Sequence, residues 1–147
     1  MKKLILLTLL LAGCRGSMTP KQAPAPGAPG AETPTAAVTA FLDASRAGDL
    51  QALSAIWGTS TGPIRNDVPE PELSKREFYL VSCTKHDKFK ILNDVAGQAG
   101  RRLLAVEITR GALTRSTTFT AVAGPQSRWY VEKLDLSPNL DAICQAK

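Results

Sequence analysis

The sequence predicts an α+β fold in which N-terminal helices pack on one face of a curved, four-stranded antiparallel sheet, giving a cone-like domain. Apolar residues recur at helical spacing in the first half of the chain and at every second position after residue 88. Glycines mark short turns between the alternating runs. The 147 residues allow one such domain, expected at residues 34–147, plus short extensions.

Three helices are predicted before the strands. The first begins beside Pro34, with Thr33 or Thr35 as its cap, and ends at Gly48. Asp49 caps a second, shorter helix that Gly58 ends. The residues expected on their buried faces are Val38, Phe41, Leu42, Ser45, Leu50, Leu53, Ile56 and Trp57.

The third helix carries a capping box formed by Ser74 and Glu77, with Leu73 and Phe78 placed as a hydrophobic staple. This pattern predicts a helix that starts near Ser74 and runs to Cys83 or Thr84. Residues 59–72 contain one glycine and three prolines (Gly62, Pro63, Pro69 and Pro71) and show no steady apolar period, so they are predicted to form a loop.

Four strands are predicted, at residues 89–95, 102–109, 113–122 and 128–134. Along the first strand, alternation assigns Val95 to the same face as Phe89 and Ile91. Along the fourth, it places Val131 and Leu134 on opposite faces. The second strand should direct one apolar row into the core, formed by Leu104, Val106 and Ile108.

Composition places the chain among globular proteins. Apolar residues make up 44% and charged residues 21%, which argues against wholesale disorder, collagen and a protein with several membrane spans. The net charge is +5, but there is no dense basic run with interleaved aromatics, so nucleic acid is not an expected partner. Because no metal-ligand cluster, catalytic triad order or phosphate-binding glycine loop occurs, no metal, cofactor or catalytic residue is predicted.

The amino terminus is typical of an export signal, because two lysines precede an apolar stretch, residues 4–11, that is too short to span a bilayer. The next residues resemble the lipobox of bacterial lipoproteins: Leu11, Ala12, Gly13 and Cys14. The resemblance implies that residues 1–13 are a signal peptide, that the Cys14 thiol receives a diacylglycerol, and that the new amino group is acylated. An ordinary signal peptide with a chance cysteine is the alternative.

A lipid anchor of this kind has consequences for location. Two or three acyl chains would hold the protein stably in a bilayer. Arg15 follows the cysteine, which resembles the pattern of lipoproteins sorted to the outer membrane, facing the periplasm, in Gram-negative cells. Residues 14–33, rich in Pro, Ala and Gly, are predicted to be a disordered, semi-rigid tether. Removal of the two signal-peptide lysines lowers the net charge from +5 to +3.

Once Cys14 is acylated, Cys83 and Cys144 remain as an even pair in an oxidising compartment. We expect them to form a disulfide that closes a loop of about 60 residues. Two buried free thiols are the alternative, and a metal site would need two further ligands.

Two segments resemble the nuclear transport factor 2-like, cystatin-like cone: AAVTAFLDASRAGDLQALSAIW its opening helices, and SRWYVEKLDL its last strand. The resemblance covers about residues 34–136. It implies a pocket between the helices and the concave sheet, which the superfamily uses in isomerases, cyclases, dehydratases, ligand-binding modules and assembly modules. The fold does not choose among these functions.

An enzyme of that kind needs a general base in the pocket. His86 lies in a polar turn beside Asp87, so we expect it to be solvated, and Asp43 and Asp94 are expected to be solvated surface carboxylates. The candidates for lining a binding pocket are aromatic: Trp57, Trp129 and Tyr130. A role in the core is the alternative for each of them.

These features favour a membrane-anchored lipoprotein of the cell envelope that acts as a non-catalytic binding or interaction module. Its expected partners are the lipid bilayer, through acylated Cys14, and a small ligand or an envelope protein. A homodimer through the exposed sheet face is a further possibility, since related folds dimerise there. The alternative function is a small pocket enzyme of the isomerase, cyclase or dehydratase kind.

Overall fold

The computed structural model describes residues 28–136 and 140–145. Four helices are present in these ranges: α1 (Pro34–Ala47), α2 (Leu50–Ile56), α3 (Glu72–Thr84) and α4 (Asp141–Gln145). The strands are β1 (Gly58–Thr59), β2 (Gly62–Pro63), β3 (Lys88–Ala96), β4 (Arg102–Arg110), β5 (Leu113–Ala123) and β6 (Trp129–Leu134). The predicted signal peptide, the lipobox with Cys14, and the tether as far as residue 27 lie outside the described residues.

The fold is α+β, as predicted, with β3, β4, β5 and β6 forming a four-stranded antiparallel sheet in sequence order. Helix α1 contacts all four of these strands, and α3 packs against α1, α2 and α4. No helix in the described part of the chain is long and apolar enough to cross a membrane.

The caps of α1 and α2 are those that the sequence predicts. The Thr33 hydroxyl accepts a hydrogen bond from the Ala36 amide at 3.1 Å, and the Asp49 carboxylate accepts one from the Ala52 amide at 3.0 Å. Gly48 ends α1 in the left-handed conformation, with φ 69°, which glycine adopts without steric cost. These caps fix where the two helices meet.

The core lies between α1 and the sheet. Phe41 on α1 meets Phe119 on β5 edge to face, with ring centroids 5.7 Å apart. The predicted inward row of β4 is confirmed, since all three of its members are fully buried. The space is filled by apolar side chains, among them Val38, Phe41, Leu42, Leu53, Leu104, Val106, Ile108, Phe119, Ala121, Val131, Leu140 and Ile143.

Two β-bulges change which residues face this core. In β3, Ile91 pairs with Val106 but the next pairing joins Asn93 to Ala105, so Leu92 is an extra residue. The faces therefore invert after Leu92, and Val95 is 48% exposed. The prediction that Val95 shares the face of Ile91 is wrong for this reason.

Strand β6 contains the second β-bulge. Thr120 pairs with Lys133 and Ala121 with Val131, which leaves Glu132 as the extra residue. Because of this bulge, Val131 and Leu134 are both buried in the core. The prediction that they lie on opposite faces is wrong.

Helix α3 begins at Glu72, two residues before the predicted start near Ser74. The predicted capping box is wrong, because Pro71 occupies the cap position without a side-chain bond. The Ser74 hydroxyl donates to the Glu70 carboxylate at 2.6 Å instead of accepting from a helix amide. Phe78 is 63% exposed, so it does not form a staple. The predicted end of the helix, at Thr84, is confirmed.

The segment predicted as a loop contains some regular structure. Strands β1 and β2 form a short antiparallel pair, and residues 64–66 form one turn of 3₁₀-helix. Further along the chain, α4 was not predicted.

The sulfurs of Cys83 on α3 and Cys144 on α4 lie at disulfide distance, as expected from the sequence. Leu140, directly before α4, and Ile143 on α4 are buried and belong to the core cluster. The pair therefore joins the end of the chain to the helical layer.

Candidate functional site

A cleft of about 310 Å³ opens between α2, α3 and the segment that joins them. One part of its lining is apolar and consists of Leu50, Val68, Pro69 and Leu73. The other part is polar and consists of Gln51, Ser54, Arg65, Glu70, Ser74 and Glu77. The mixture of apolar wall and a few polar groups is typical of small-molecule sites.

Glu77 is the most unusual residue of the cleft. It follows Leu73 by four residues on α3, so the two side chains lie on the same helical face. The residue is only 2% exposed, and its Oε1 atom has no hydrogen-bond partner among the described residues. Buried carboxylate oxygens normally accept hydrogen bonds, so the cleft contains an acceptor with nothing bound to it.

The surroundings of Glu77 disfavour its negative charge. Burial raises the pKa of Glu77, the nearby negative charge of Glu70 raises that pKa further, and the Ser54 hydroxyl opposes the rise. A proton or a bound cation would relieve both unfavourable contributions.

The other charged groups of the cleft are closer to solvent. Glu70 is exposed, and its carboxylate accepts the Ser74 hydroxyl. Arg65 is also exposed, and no carboxylate of the described residues pairs with it. The buried end of the cleft therefore carries the negative Glu77, whereas the positive Arg65 lies at its outer part.

The three predicted pocket aromatics do not line this cleft. Trp57 forms a parallel bridge with Val131, and Trp129 forms an antiparallel bridge with Ala31, so both tryptophans lie at the outer edge of β6. Both are half-buried and pack against the core. Tyr130 is buried. A role of the three aromatic residues in ligand binding stays a prediction.

His86 is 4% exposed, so the expectation of a solvated turn residue is wrong. Its Nδ1 atom is 2.7 Å from the Thr84 carbonyl oxygen, and its ring stands edge-on to Phe89. In the same turn, the Gly111 amide donates to the Asp87 carboxylate at 2.7 Å. His86 is not part of the cleft lining.

The two aspartates considered as bases have ion-pair partners. Asp43 is exposed and pairs with Arg46 at 2.8 Å, which confirms the expected surface carboxylate. Asp94 pairs with Arg102 at 2.7 Å and is half-buried, so it is less solvated than expected. The bulge at Leu92 accounts for this, because it shifts the face on which Asp94 lies.

Sequence reasoning used Glu77 only as a capping partner and did not consider it as a site residue. The signal that identifies it is spacing, since four residues fall on the inward face of α3: Leu73, Glu77, Leu80 and Thr84. A carboxylate among inward positions is a feature that requires an explanation.

In the ranges 28–136 and 140–145, no group of three or more His, Cys, Asp or Glu side chains is placed to hold a metal ion. Comparisons of the chain with protein-family models, curated proteins and solved structures found no match. The function of the cleft must therefore be inferred from its own chemistry.

Proposed function

We propose that this protein is an exported, lipid-anchored lipoprotein of the bacterial cell envelope whose folded part is a non-catalytic binding module. The ligand site of the module is the cleft between α2 and α3. The observation that carries the proposal is the buried Glu77, whose Oε1 atom has no hydrogen-bond partner among the described residues, in a cleft with an apolar wall. A binding protein keeps such an unfilled acceptor because the ligand supplies its partner.

The anchor is supported by the residues of the amino terminus. The lysine pair, the short apolar stretch and the run Leu11-Ala12-Gly13-Cys14 stand in the order that lipoprotein processing requires. If the cell is Gram-negative, Arg15 after the cysteine favours the outer membrane, facing the periplasm. A homodimer through the outer sheet face stays a prediction.

Binding is favoured over catalysis by where the catalytic pocket would have to lie. The family resemblance implies a pocket between α1 and the sheet, but apolar core side chains fill that space. In addition, His86 is not part of the cleft lining.

The anchor is tested by metabolic labelling with an alkyne fatty acid. The full-length wild type should become labelled and sediment with membranes, and Cys14→Ser should lose both properties. Cys144→Ser is the matched control, because it removes a cysteine outside the lipobox and should stay labelled. Label on the Cys14→Ser protein would contradict the anchor.

The binding role of the cleft is tested by screening small molecules against the ¹⁵N-labelled full-length protein. Compounds that bind should shift the amide signals of cleft residues such as Gln51 and Ser54. Gln51→Trp should weaken the binding of these compounds, because the larger side chain narrows the cleft. Ser116→Trp, on β5, should leave their binding unchanged. Hits that map only to other surfaces, or no hits, would overturn the proposed site.

The alternative function, a small pocket enzyme, is favoured by one observation. Burial and Glu70 raise the pKa of Glu77, which is how proteins prepare a carboxyl for proton transfer at neutral pH. If a compound from the screen were converted by the wild type and bound without conversion by Glu77→Gln, the enzyme would replace the binding module.

A further inference from the structure

We propose that the cleft takes a small organic ammonium compound whose N–H groups bond to the free Oε1 atom of Glu77. This inference rests on the proposed binding function and adds the chemical class of the ligand. It is carried by the placement of Glu77, Glu70 and an apolar wall around one cavity.

The first step concerns the sign of the ligand charge. The Glu77 carboxylate is almost fully buried and can only accept hydrogen bonds when it is ionised, so its partner must be a donor. A second carboxylate, Glu70, lies close enough to act on Glu77 electrostatically. A cation between them removes their repulsion and forms charge-assisted hydrogen bonds, which a neutral hydroxyl donor does only in part.

The second step concerns the nature of the cation. A metal ion is disfavoured because the described residues contain no cluster of three or more His, Cys, Asp or Glu side chains suited to it. An organic ammonium ion brings a carbon skeleton, which can pack on the apolar wall formed by Leu50, Val68 and Leu73. The wall and the carboxylate together therefore fit a molecule with one cationic end and one apolar part.

The third step concerns orientation and size. Arg65 is exposed whereas Glu77 is buried. The bound ligand therefore points its ammonium group inward to Glu77, and its other end lies beside the positive Arg65. The cavity of about 310 Å³ has the volume of roughly ten water molecules in the liquid. This volume suits a compact amine with a short chain.

The test uses the purified full-length protein and three probes of equal length: n-hexylammonium, n-hexanol and n-hexanoate. Hexylammonium should shift the amide signals of Glu77, Ser54 and Glu70 and should saturate. Hexanol should bind at least tenfold more weakly, and hexanoate should not shift these signals, because it brings a like charge to Glu77. Nα-acetyl-lysine amide presents the same ammonium as a protein side chain does, and it should bind no more tightly than hexylammonium.

Variants identify the carboxylates responsible. Glu77→Gln should weaken the binding of hexylammonium at least tenfold, whereas the affinity for hexanol should change less than threefold. Glu70→Gln should give a smaller loss, because Glu70 is exposed and its charge is screened. Asp43→Asn is the matched control on α1, outside the cleft lining, and should leave the affinity unchanged.

Several results would overturn the inference. Equal or tighter binding of hexanol or hexanoate at the same residues would refute the ammonium class but would keep the cleft as a binding site. If Nα-acetyl-lysine amide bound tenfold more tightly than hexylammonium, the ligand of the cleft would be a lysine side chain of a partner protein and not a small amine. If no probe and no compound of the wider screen binds there, both the inference and the proposed function fail.

Discussion

Burial determines how two polar side chains behave in this protein. Glu77 and His86 are both under 5% exposed, although the sequence places one in a capping position and the other in a polar turn. Each has one buried atom without a partner among the described residues, Oε1 and Nε2 respectively. Such atoms cost free energy in the folded state, so each is a position where substitution should be informative.

Replacing Glu77 by glutamine should raise the free energy of unfolding by about 1 kcal/mol near pH 8. The pKa of Glu77 is raised above its ordinary 4.5 by burial and by Glu70, so the folded protein holds this proton more tightly than the unfolded chain does. Wild-type stability should therefore fall as the pH rises from about 4.5 through the folded-state pKa, and the variant should lack this fall.

The measurement is urea denaturation of both proteins between pH 4 and pH 8. Glu72→Gln is the matched control, because it lies on the same helix but is exposed and pairs with Arg76 on the surface. A Glu77→Gln protein that is less stable than the wild type at pH 8 would show that the carboxylate has a structural partner.

At position 30, the backbone lies so close to Tyr130 and Arg128 that only glycine, which has no Cβ atom, fits without a clash. The φ of Gly30 is +74°, and a Cβ atom there would lie 2.8 Å from the Tyr130 ring and 2.9 Å from the Arg128 Cβ. Gly30→Ala should therefore lower the free energy of unfolding by about 2 to 3 kcal/mol, through backbone strain and overpacking. Gly48→Ala separates the two causes, because φ is also positive there, +69°, but an added Cβ atom would have no neighbour within 4 Å. This variant should lower the free energy of unfolding by about 1 kcal/mol, through backbone strain alone. Equal losses in thermal denaturation would contradict the predicted clash.

Helix caps show how local signals succeed or fail at the ends of elements. Asp49 caps α2 as predicted, since its carboxylate reaches a free amide of the first turn. Ser74 has the sequence signature of a cap, but α3 begins two residues earlier, so the serine is already inside the helix. The preceding cluster of prolines, which sequence reasoning assigned to a loop, sets the true start.

The matched pair Asp49→Ala and Ser74→Ala tests this assignment. Asp49→Ala should cost about 1 kcal/mol, because the Ala52 amide loses its partner. Ser74→Ala should change the free energy of unfolding by less than about 0.5 kcal/mol, since its bond to Glu70 is exposed. Urea denaturation gives both values, and a loss of about 1 kcal/mol at Ser74 would restore the capping box.

The β-bulges at Leu92 and Glu132 determine the faces of the edge strands. A bulge adds one residue to one strand only, so every later side chain points to the other face. Valine to threonine substitutions test this, because the two side chains have almost the same shape.

Val95→Thr should change the free energy of unfolding by less than about 0.5 kcal/mol, because Val95 is half exposed. Val106→Thr should cost about 1 to 3 kcal/mol, because it buries a hydroxyl in the apolar core. Chemical denaturation of the two variants checks the prediction. A comparable loss at both positions would mean that Val95 faces the core.

Across the molecule, the predicted disulfide would join parts that are distant in the sequence. Cys83 and Cys144 are 61 residues apart, and the loop between them contains all four strands of the large sheet. In the chain-entropy model, a bridge of this span contributes about 4 kcal/mol by restricting the unfolded chain. It should therefore account for a large share of the stability of this small domain.

Cys144→Ser should lower the free energy of unfolding by about 4 kcal/mol relative to the oxidised wild type. Reduction of the wild type should produce a similar loss, whereas reductant should not affect the variant. Denaturation with and without reductant measures these changes. A reduced wild type as stable as the oxidised one would show that the bridge does not form in solution.

The sequence by itself determined the class of the fold, the boundaries of α1 and α2 and the four strands. It also predicted the pair Cys83 and Cys144, whose sulfurs lie at disulfide distance. These features depend on local spacing, on caps and on the count of cysteines, all of which are present before the chain folds. The predicted export signal and the resemblance to a lipobox also come from the sequence, since they are linear patterns, and they stay predictions because they lie outside the described residues.

Tertiary structure alone decided which side chains are buried and what they contact. The bulge at Leu92 inverted the face of Val95 because register depends on the partner strand. Glu77 is a candidate site residue only because α2 and the segment after it pack beside α3 and form the cleft. A carboxylate acquires an unfilled acceptor and a raised pKa from its neighbours in space, and the linear order of the residues does not specify those neighbours.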